Sequence, residues 1–393
     1  RRAPAPADGG AAPSEATPAL GARVGSTQSV LLRKPPGDRE QDFGFDRVFG
    51  PDAGQRDLYE EVEPLLPGIL RGLHLCVFAY GQTGSGKTYT LSGRPGGEGG
   101  LQDLALADLL RLVEAHGGGA AYDAWLSALE IYNETVQDLL ASLAGRPGPG
   151  GAVEPGGAEP GGARLEVRQS REGAPDGEGV AAPPSPFGSM RIPGLHMQRV
   201  VGHEDVDQAL RLVLANRHVA STALNERSSR SHCVVSLTLL KKSTGTAGVL
   251  HVVDLAGSER TKVSQAEGQQ MKEANCINRS LSALSDVLFA LGDPCGSAHV
   301  PYRNSKLTYL LQDALGGSGC KTFLFAQISP EPAEVHESYS TMTFATRVAA
   351  CVQKGRLRLP SASLAAERSP AAAREKTPPR TPGRAGGALA HDG

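Results

Sequence analysis

Apolar residues along the chain follow two patterns. Some form continuous or alternating runs, which are typical of strands in a buried sheet, and others recur every three or four residues, as in amphipathic helices. The first pattern predicts strands at residues 29–33, 43–49, 75–80, 124–132, 233–241, 249–255 and 322–328. The second predicts helices at residues 57–70, 136–143, 204–220, 274–291, 306–315 and 337–352. Strands that alternate with helices indicate a layered α/β domain with a largely buried sheet.

Three segments lack this periodicity and delimit the domain. Residues 145–162 are dominated by Gly and Pro, and residues 172–190 form a second insertion, so we predict that both are disordered. Residues 357–393 form a Pro- and Arg-rich tail that we also predict to be disordered. The chain has 49 Gly and 28 Pro in 393 residues, which excludes a coiled coil or an all-helical bundle. One folded domain within residues 1–356 is therefore expected.

Charge and cysteine usage exclude several classes of protein. The chain has 40 basic and 42 acidic residues, so it is not a histone-like basic binder, and we expect no nucleic-acid partner. No apolar run approaches the roughly 20 residues of a membrane span, so no membrane insertion is expected. The six cysteines are scattered without a CxxC pair, which argues against a disulfide framework or a zinc site. We interpret them as reduced thiols of a cytosolic protein.

A phosphate-binding motif follows the predicted strand at residues 75–80. Residues 81–88, GQTGSGKT, match the pattern GxxxxGK[ST] in the context that supports it, between a strand and a helix. The glycines let consecutive backbone N–H groups surround phosphate oxygens. Lys87 places a positive charge on the β- and γ-phosphates, and Thr88 offers a hydroxyl to Mg²⁺. The motif predicts a site for a nucleoside triphosphate with Mg²⁺.

Two later segments fit the same site. Residues 225–232, NERSSRSH, are dense in hydroxyl groups and lead into a predicted strand. Residues 254–259, DLAGSE, end the predicted strand 249–255 with Asp254, a position from which P-loop proteins contact Mg²⁺. Gly257 can offer its N–H to the γ-phosphate. Either segment alone fits an ordinary polar turn, but their order after the phosphate-binding motif favours the functional interpretation.

These three motifs resemble those of the kinesin motor domain. Further matching segments are FGFDRVF (43–49), LEIYNETVQDLL (129–140), NRSLSALSDVLFAL (278–291) and VPYRNSKLTYLLQDALGG (300–317). The resemblance spans roughly residues 43–355 and implies a P-loop NTPase fold of the kinesin/myosin type, with a mostly buried mixed β-sheet flanked by helices on both faces. The chain lacks the guanine-reading NKxD motif, which argues against a GTPase.

The resemblance also implies roles for individual residues. ATP would be bound by Gly81, Gln82, Thr83, Gly84, Ser85, Gly86, Lys87, Thr88 and Tyr89, with the Tyr89 ring against the adenine. The residues that act in hydrolysis would be Asn225, Ser228, Ser229, Arg230, Asp254, Gly257 and Glu259. Mg²⁺ would be held by Thr88, Ser229 and Asp254. We call residues 225–232 switch I and residues 254–259 switch II, and we expect an Arg230–Glu259 ion pair to close the site.

The same resemblance predicts a filament partner. Tubulin has an acidic surface, so a microtubule-binding face should present basic residues on ordered elements. The matching residues are Lys272, Arg279, Arg303 and Lys306. The expected activity is a microtubule-stimulated ATPase coupled to movement, located in the cytoplasm on the microtubule cytoskeleton. The sequence does not identify a cargo. We interpret His232 as structural rather than catalytic.

The chain departs from the family pattern at both ends of the domain. The first strand of the family, which ends in RxRP, is not found, and residues 1–4 (RRAP) resemble only a remnant of it. After residues 344–348 no neck-linker segment is recognisable. The latter feature is similar to the C-terminal-motor kinesins, which move toward microtubule minus ends. It predicts a homodimer formed through a coiled coil upstream of Arg1.

Two alternatives stay open from the sequence. One is a kinesin-fold module that binds microtubules but is catalytically weak or inactive, although Lys87, Thr88, Ser229, Asp254 and Glu259 are all intact. The other is a P-loop ATPase that is not a motor, which the filament-face segments disfavour.

Overall fold

The computed structural model describes residues 22–33, 40–94, 96–144, 165–169, 183–219, 227–259, 269–293, 299–317, 319–329 and 331–353. The strands are β1 (Ala22–Ser26), β2 (Ser29–Arg33), β3 (Glu40–Gly44), β4 (His74–Tyr80), β5 (Tyr122–Tyr132), β6 (Thr135–Asp138), β7 (Arg168–Gln169), β8 (Met190–Arg191), β9 (Gln198–Val200), β10 (His232–Lys241), β11 (Thr246–Asp254) and β12 (Cys320–Ala326). The helices are α1 (Gln55–Tyr59), α2 (Leu66–Ile69), α3 (Lys87–Ser92), α4 (Leu101–Ala115), α5 (Gly118–Ala121), α6 (His203–Val219), α7 (Gln269–Leu291), α8 (Lys306–Leu310), α9 (Gln312–Gly316) and α10 (Val335–Gln353).

A seven-stranded mixed sheet forms the centre of the fold. Its order is β12-β4-β11-β10-β5-β6, and β9 also pairs with β5. Strand β4 runs parallel to both β11 and β12, whereas β10 is antiparallel to β11 and β5. Since β4 lies inside the sheet and is covered on both faces, six of its seven residues are buried. This explains the continuous apolar run that predicts the strand.

The two faces of this sheet are covered by different helices. Along β4, Leu75 and Val77 face a core formed with α1, α2, α4 and α6, and Cys76 and Phe78 face a second core formed with α7 to α10. Successive side chains of a strand point to opposite faces, so one strand contributes to both cores. The predicted α/β architecture, with helices on both faces of a mixed sheet, is therefore the one observed.

A smaller sheet, β1-β2-β3, packs against α10. Val30, Leu32 and Phe43 share a buried cluster with Val335 and Met342. The short turn between β1 and β2 is linked to the chain beyond β3 through backbone hydrogen bonds from residues 45 and 48. The predicted strand at 29–33 is confirmed, but the one at 43–49 is wrong, because the strand ends at Gly44.

Most long elements lie where their patterns predict them, but the helix predicted at residues 136–143 is wrong. Residues 136–143 do not form a helix; β6 pairs with β5 as a hairpin and a short 3₁₀ turn follows. The hairpin turn consists of Asn133 and Glu134, with φ of 50° and 56°. Two consecutive residues with positive φ match the twist of a two-residue hairpin. The apolar residues 136, 139 and 140 have the three- to four-residue spacing that is typical of a helix, which explains the wrong prediction.

Two predicted helices are interrupted, and several elements lack a sequence prediction. The helix at 57–70 is divided into α1 and α2 by a 3₁₀ turn, Glu63–Leu65, and residues 306–315 are divided into α8 and α9 at Leu311. The sequence pattern does not predict helices α4 and α5 or the short strands β1, β7, β8 and β9. None of the described helices is both long enough and apolar enough to cross a membrane.

Most residues of the three segments predicted to be disordered lie outside the described residues. Residues 145–162 and 357–393 lie outside the described residues, as do residues 172–182. Residues 183–190 are ordered, contrary to the prediction, because Phe187 and Met190 are buried in the core. The Phe187 ring stacks on His251 with centroids 5.4 Å apart. These two apolar anchors outweigh the local Pro- and Gly-rich composition.

Strand β12 is the outermost strand on its side of the central sheet among the described residues. All seven of its residues are only partly buried, in contrast to those of its neighbour β4. The predicted absence of the family's first strand is not tested by the described residues and stays a prediction.

Candidate active site

The phosphate-binding loop lies where β4 meets α3. Close packing requires Gly81, because a Cβ atom there would lie 2.3 Å from the carbonyl oxygen of Gln327. Gly84 and Gly86 have φ of 80° and 100°, in the left-handed region where glycine is favoured. These conformations curl the loop at the carboxyl end of a buried strand, where α/β proteins bind ligands.

The amino group of Lys87 is turned into this loop. Its Nζ donates hydrogen bonds to the carbonyl oxygens of Gly81 (2.9 Å) and Gln82 (2.8 Å). Burial lowers the pKa of Lys87, and the carboxylates of Asp254 and Glu259 partly offset this effect. The loop therefore keeps a buried cation at its centre, with carbonyl partners that a phosphate can replace.

Thr88 and Asp254 form the part of the site that fits a divalent cation. The Thr88 hydroxyl donates to Asp254 Oδ2 over 2.8 Å, and Arg217 Nη1 donates to the same oxygen over 3.0 Å. The other carboxylate oxygen, Oδ1, is buried and has no hydrogen-bond partner among the described residues. Hydroxyl and carboxylate oxygens are the ligands that Mg²⁺ prefers, directly or through water. This pair of residues therefore fits Mg²⁺.

Sequence reasoning missed Arg217. It lies near the end of α6, is 8% exposed and pairs with Asp254. It also contacts the carbonyl oxygen of Ser228 at 3.5 Å. In the sequence, Arg217 is an arginine in the last turn of an amphipathic helix, shortly before switch I. Arginines at such positions commonly face solvent, so the pattern does not indicate a buried ion pair.

Switch I is described only in part. Asn225 lies outside the described residues. A 3₁₀ turn, Arg227–Ser229, leads into β10, and the carbonyl oxygen of Ser229 accepts a hydrogen bond from the N–H of Gly257 over 2.8 Å. The backbones of the two switches are thus in direct contact. The role of the Ser228 and Ser229 hydroxyls stays a prediction.

Switch II contacts the phosphate-binding loop through its backbone and through Glu259. The N–H of Ser258 donates to the carbonyl oxygen of Gly81 over 3.1 Å. Glu259 accepts a hydrogen bond from the N–H of Thr83 over 2.8 Å and a second one from the Thr83 hydroxyl. The segment therefore lies across the loop, with Gly257 between the loop and switch I.

The predicted Arg230–Glu259 ion pair is not formed in this conformation. Arg230 Nη1 instead contacts Glu273 Oε2 at 2.8 Å, and Glu273 Oε1 accepts a hydrogen bond from the Tyr132 hydroxyl over 2.5 Å. Glu273 belongs to α7 and lies 43 residues after Arg230 in the sequence. The physical reason is that each partner has an alternative: Glu259 has two donors on Thr83, and Arg230 has a nearby buried carboxylate.

The interpretation of His232 as structural agrees with its contacts. Its Nδ1 accepts a hydrogen bond from the N–H of Ala256 over 3.0 Å, so Nε2 donates to Ser280 Oγ over 2.7 Å. Burial lowers the pKa of His232 to about 3. The neutral ring links β10, switch II and α7, which it could not do if both nitrogens carried protons.

Tyr89 lies at the open edge of the site. The residue is 48% exposed, and the guanidinium carbon of Arg94 lies 5.5 Å from the ring centroid. Gln55 Nε2 donates to the backbone carbonyl of Tyr89 over 2.7 Å. The predicted contact of Tyr89 with adenine stays a prediction.

Three of the four predicted filament residues are brought together. Arg279 Nε on α7 donates to the carbonyl oxygen of Asn304 over 3.2 Å, next to Arg303. Arg303 is exposed, with its guanidinium carbon 5.9 Å from the Tyr309 ring centroid. Lys306 begins α8. Lys272 belongs to α7, but its side chain lies outside the described residues.

Known proteins share this arrangement over most of the chain. The family model described as the kinesin motor domain matches residues 21–351. The chain belongs to the kinesin family. Kinesin motor domains are ATPases that bind nucleotide, generally with Mg²⁺. The predicted P-loop fold of the kinesin/myosin type is thereby confirmed.

Individual relatives refine this placement among the kinesins. The kinesin-like protein KIN-14O of Arabidopsis thaliana is 41% identical over 322 residues, which cover 80% of this chain and 25% of that protein. The motor domain of Kar3, a Saccharomyces cerevisiae kinesin-related protein, has a TM-score of 0.65 at 32% identity, covering 84% of this chain and 93% of that chain. A KIF14 dimer with AMP-PNP, in complex with a microtubule, has a TM-score of 0.67 at 30% identity, covering 84% and 88%. The predicted likeness to C-terminal-motor kinesins is confirmed.

The chain spans between 25% and 36% of the length of the curated relatives it matches. The region that this chain shares with them is the motor domain.

Proposed function

We propose that this chain is an ATP-hydrolysing microtubule motor that moves toward the minus end. The observation that carries the proposal is the convergence of three segments at one edge of the sheet. The Thr88 hydroxyl contacts Asp254 at 2.8 Å, and the N–H of Gly257 contacts the carbonyl oxygen of Ser229 at 2.8 Å. Phosphoryl transfer requires positioning and charge stabilisation more than covalent chemistry, and these segments supply both.

The residues of the site divide into binding and positioning roles. The loop from Gly81 to Gly86 surrounds the phosphates with N–H groups, and Lys87 supplies the positive charge. Thr88 and the orphaned Asp254 oxygen hold Mg²⁺, together with Ser229 when switch I closes. When bound, Mg²⁺ neutralises charge that develops on the phosphate oxygens.

Hydrolysis also needs an oriented water. Asn225, Ser228 and Ser229 from switch I and Gly257 from switch II would surround the γ-phosphate side of the site. Closure would bring Arg230 and Glu259 together and exclude bulk solvent, which strengthens every charge interaction inside. The observed Gly257–Ser229 backbone contact supports this role, because it already joins the two segments.

The microtubule is the proposed partner. Arg279, Arg303 and Lys306 lie on adjoining elements of one core layer, and Lys272 precedes Arg279 on α7. Basic residues on such a face complement acidic tubulin. The proposed direction rests on the likeness to KIN-14 and Kar3 proteins, and we further propose a cytoplasmic, cytoskeletal location and a homodimer.

A gliding assay on polarity-marked microtubules tests the direction, and ATP turnover with and without microtubules tests the catalysis. We expect microtubule-stimulated turnover and gliding with the plus end leading. The variant Lys87→Ala serves as the inactive reference, and Lys242→Ala, which removes a lysine paired with Asp123 at the surface, is the matched control. Microtubule binding without turnover above the Lys87→Ala level would instead indicate a catalytically inactive module.

A further inference from the structure

Arg230 and Glu273 link switch I to α7. The contact is 2.8 Å long, and the Glu273 side chain is only 7% exposed, so it carries a largely buried charge. The Tyr132 hydroxyl on β5 donates to the other oxygen of Glu273 over 2.5 Å. A buried carboxylate is stable only with partners of this kind. Separating Arg230 from Glu273 would therefore cost free energy, because it would leave the buried carboxylate with fewer partners.

Glu259 is stabilised by a different set of donors. It accepts hydrogen bonds from the backbone N–H and the hydroxyl of Thr83, inside the phosphate-binding loop. A Cβ atom on Gly257 would lie 2.4 Å from Glu259 Oε2 and 2.4 Å from Thr83 Oγ1. The carboxylate thus lies in the space between the loop and switch II. Glu259 therefore occupies donors of the loop that would receive the triphosphate.

A triphosphate bound to the loop disfavours this position of Glu259. Two anions that share the same donors repel each other, and the repulsion is strong where water is excluded. A displaced Glu259 needs a cation, and Arg230 lies one residue after Ser229, whose carbonyl oxygen already contacts Gly257. The exchange would remove the guanidinium from Glu273.

We propose that Glu273 is a positioning residue that competes with Glu259 for Arg230, and thereby couples closure of the nucleotide site to α7. In the observed state Arg230 pairs with Glu273, and Glu259 accepts hydrogen bonds from Thr83. In the closed state Arg230 pairs with Glu259, and Glu273 keeps its hydrogen bond from the Tyr132 hydroxyl. Because α7 also carries Arg279, the loss of Arg230 changes the charge balance of the helix that faces the filament. The inference rests on the proposed ATPase function.

The variant Glu273→Gln tests the competition, because Gln keeps the shape and the contact with Tyr132 but loses the charge. We expect the ratio of AMP-PNP to ADP affinity to rise about fivefold or more, since release of Arg230 no longer opposes closure around the γ-phosphate. We also expect the difference in microtubule affinity between the AMP-PNP and ADP states to shrink. A purely structural role would change the two nucleotide affinities equally.

Two further variants keep the test decisive. Tyr132→Phe removes the donor that stabilises Glu273 after Arg230 has left, so release of Arg230 becomes more costly and the nucleotide ratio should fall below that of the wild type. Asp286→Asn removes one exposed negative charge from the same helix and should leave the ratio unchanged. Should Glu273→Gln fail to fold, as judged by its melting temperature, the Tyr132→Phe ratio decides the question.

The outcomes separate this inference from the proposed function. If the wild type binds AMP-PNP and hydrolyses ATP but Glu273→Gln leaves the ratio of AMP-PNP to ADP affinity unchanged, the competition is overturned. The motor function then stands. A shift equal to that of Asp286→Asn overturns it as well, because it would reflect only the charge of α7. A wild-type protein that neither binds AMP-PNP nor hydrolyses ATP overturns both.

Discussion

Arg217 and Asp254 form a buried ion pair 3.0 Å long, with side chains that are 9% and 10% exposed. The pair links the end of α6 to the end of β11, directly beneath the Thr88 hydroxyl. Asp254 has one oxygen in this pair and one that is buried without a partner among the described residues. The pair neutralises a carboxylate that would be costly to bury alone, and it leaves one oxygen available for a cation or water.

The Arg217–Asp254 pair should therefore contribute to stability as well as to the site. We expect Arg217→Ala to lower the free energy of unfolding by about 3 kcal/mol, because it leaves an uncompensated buried carboxylate. Urea unfolding checks this value. The control is Arg199→Ala, which breaks an exposed pair with Asp123 and should cost well under 1 kcal/mol. Equal losses in the two variants would contradict the importance of burial.

Arg230 and Glu259 should act as a unit in hydrolysis although they are apart in the observed conformation. We expect Arg230→Ala and Glu259→Ala each to slow turnover by about 100-fold or more, and the double variant to be little worse than either. Single-turnover ATP hydrolysis measures the three rates. Multiplicative losses would show that the two residues act independently, and the closed-state pairing would have to be abandoned.

The filament face should depend on Arg303 through charge. We expect Arg303→Ala to raise the microtubule concentration for half-maximal ATPase stimulation about threefold or more at low salt, with little change in maximal turnover. The effect should fade as salt is added. Arg211→Ala is the matched control, because Arg211 lies on α6, which covers the other face of the sheet. A similar change in that variant would point to net charge rather than to this face.

Two buried histidines should make stability fall in mild acid. Burial lowers the pKa of His232 and of His251 to about 3, below their usual value of 6.5, so the folded state resists protonation that the unfolded state accepts. Stability from each is complete above pH 6.5 and is lost as the pH falls toward 3. Between pH 6.5 and 5.5 we expect a loss of about 1 kcal/mol for each histidine.

Urea unfolding at several pH values checks this expectation. His251→Gln should flatten the pH dependence by one histidine's share, whereas His116→Gln, at an exposed position, should leave the slope as in the wild type. An unchanged slope in His251→Gln would contradict the assignment. His251 is the better probe because it lies away from the nucleotide site, beside Ser236 and Phe187.

Parts of the fold could be predicted wherever burial and local pattern agree. Strand β4 is covered on both faces, so its apolar run predicts it within one residue. Helices α6, α7 and α10 bury one face in the two cores, and their periodicity predicts α6 and α10 within two residues but starts α7 five residues late. By contrast, β6 depends on a two-residue turn at Asn133 and Glu134, and Phe187 is ordered by a distant aromatic contact. Neither cause is visible in the local spacing.

The sequence by itself determined the chemistry of the site, because phosphate binding depends on local features. A loop with small residues, Lys87 and Thr88 must follow a buried strand, and such short-range requirements appear as motifs. Only the tertiary structure decided which charged groups meet. Arg230 contacts Glu273 rather than Glu259, and Arg217 reaches Asp254, because packing of α6 and α7 on opposite faces of one sheet brings together residues far apart in sequence. Charge pairing depends on distance in space, which no spacing along the chain encodes.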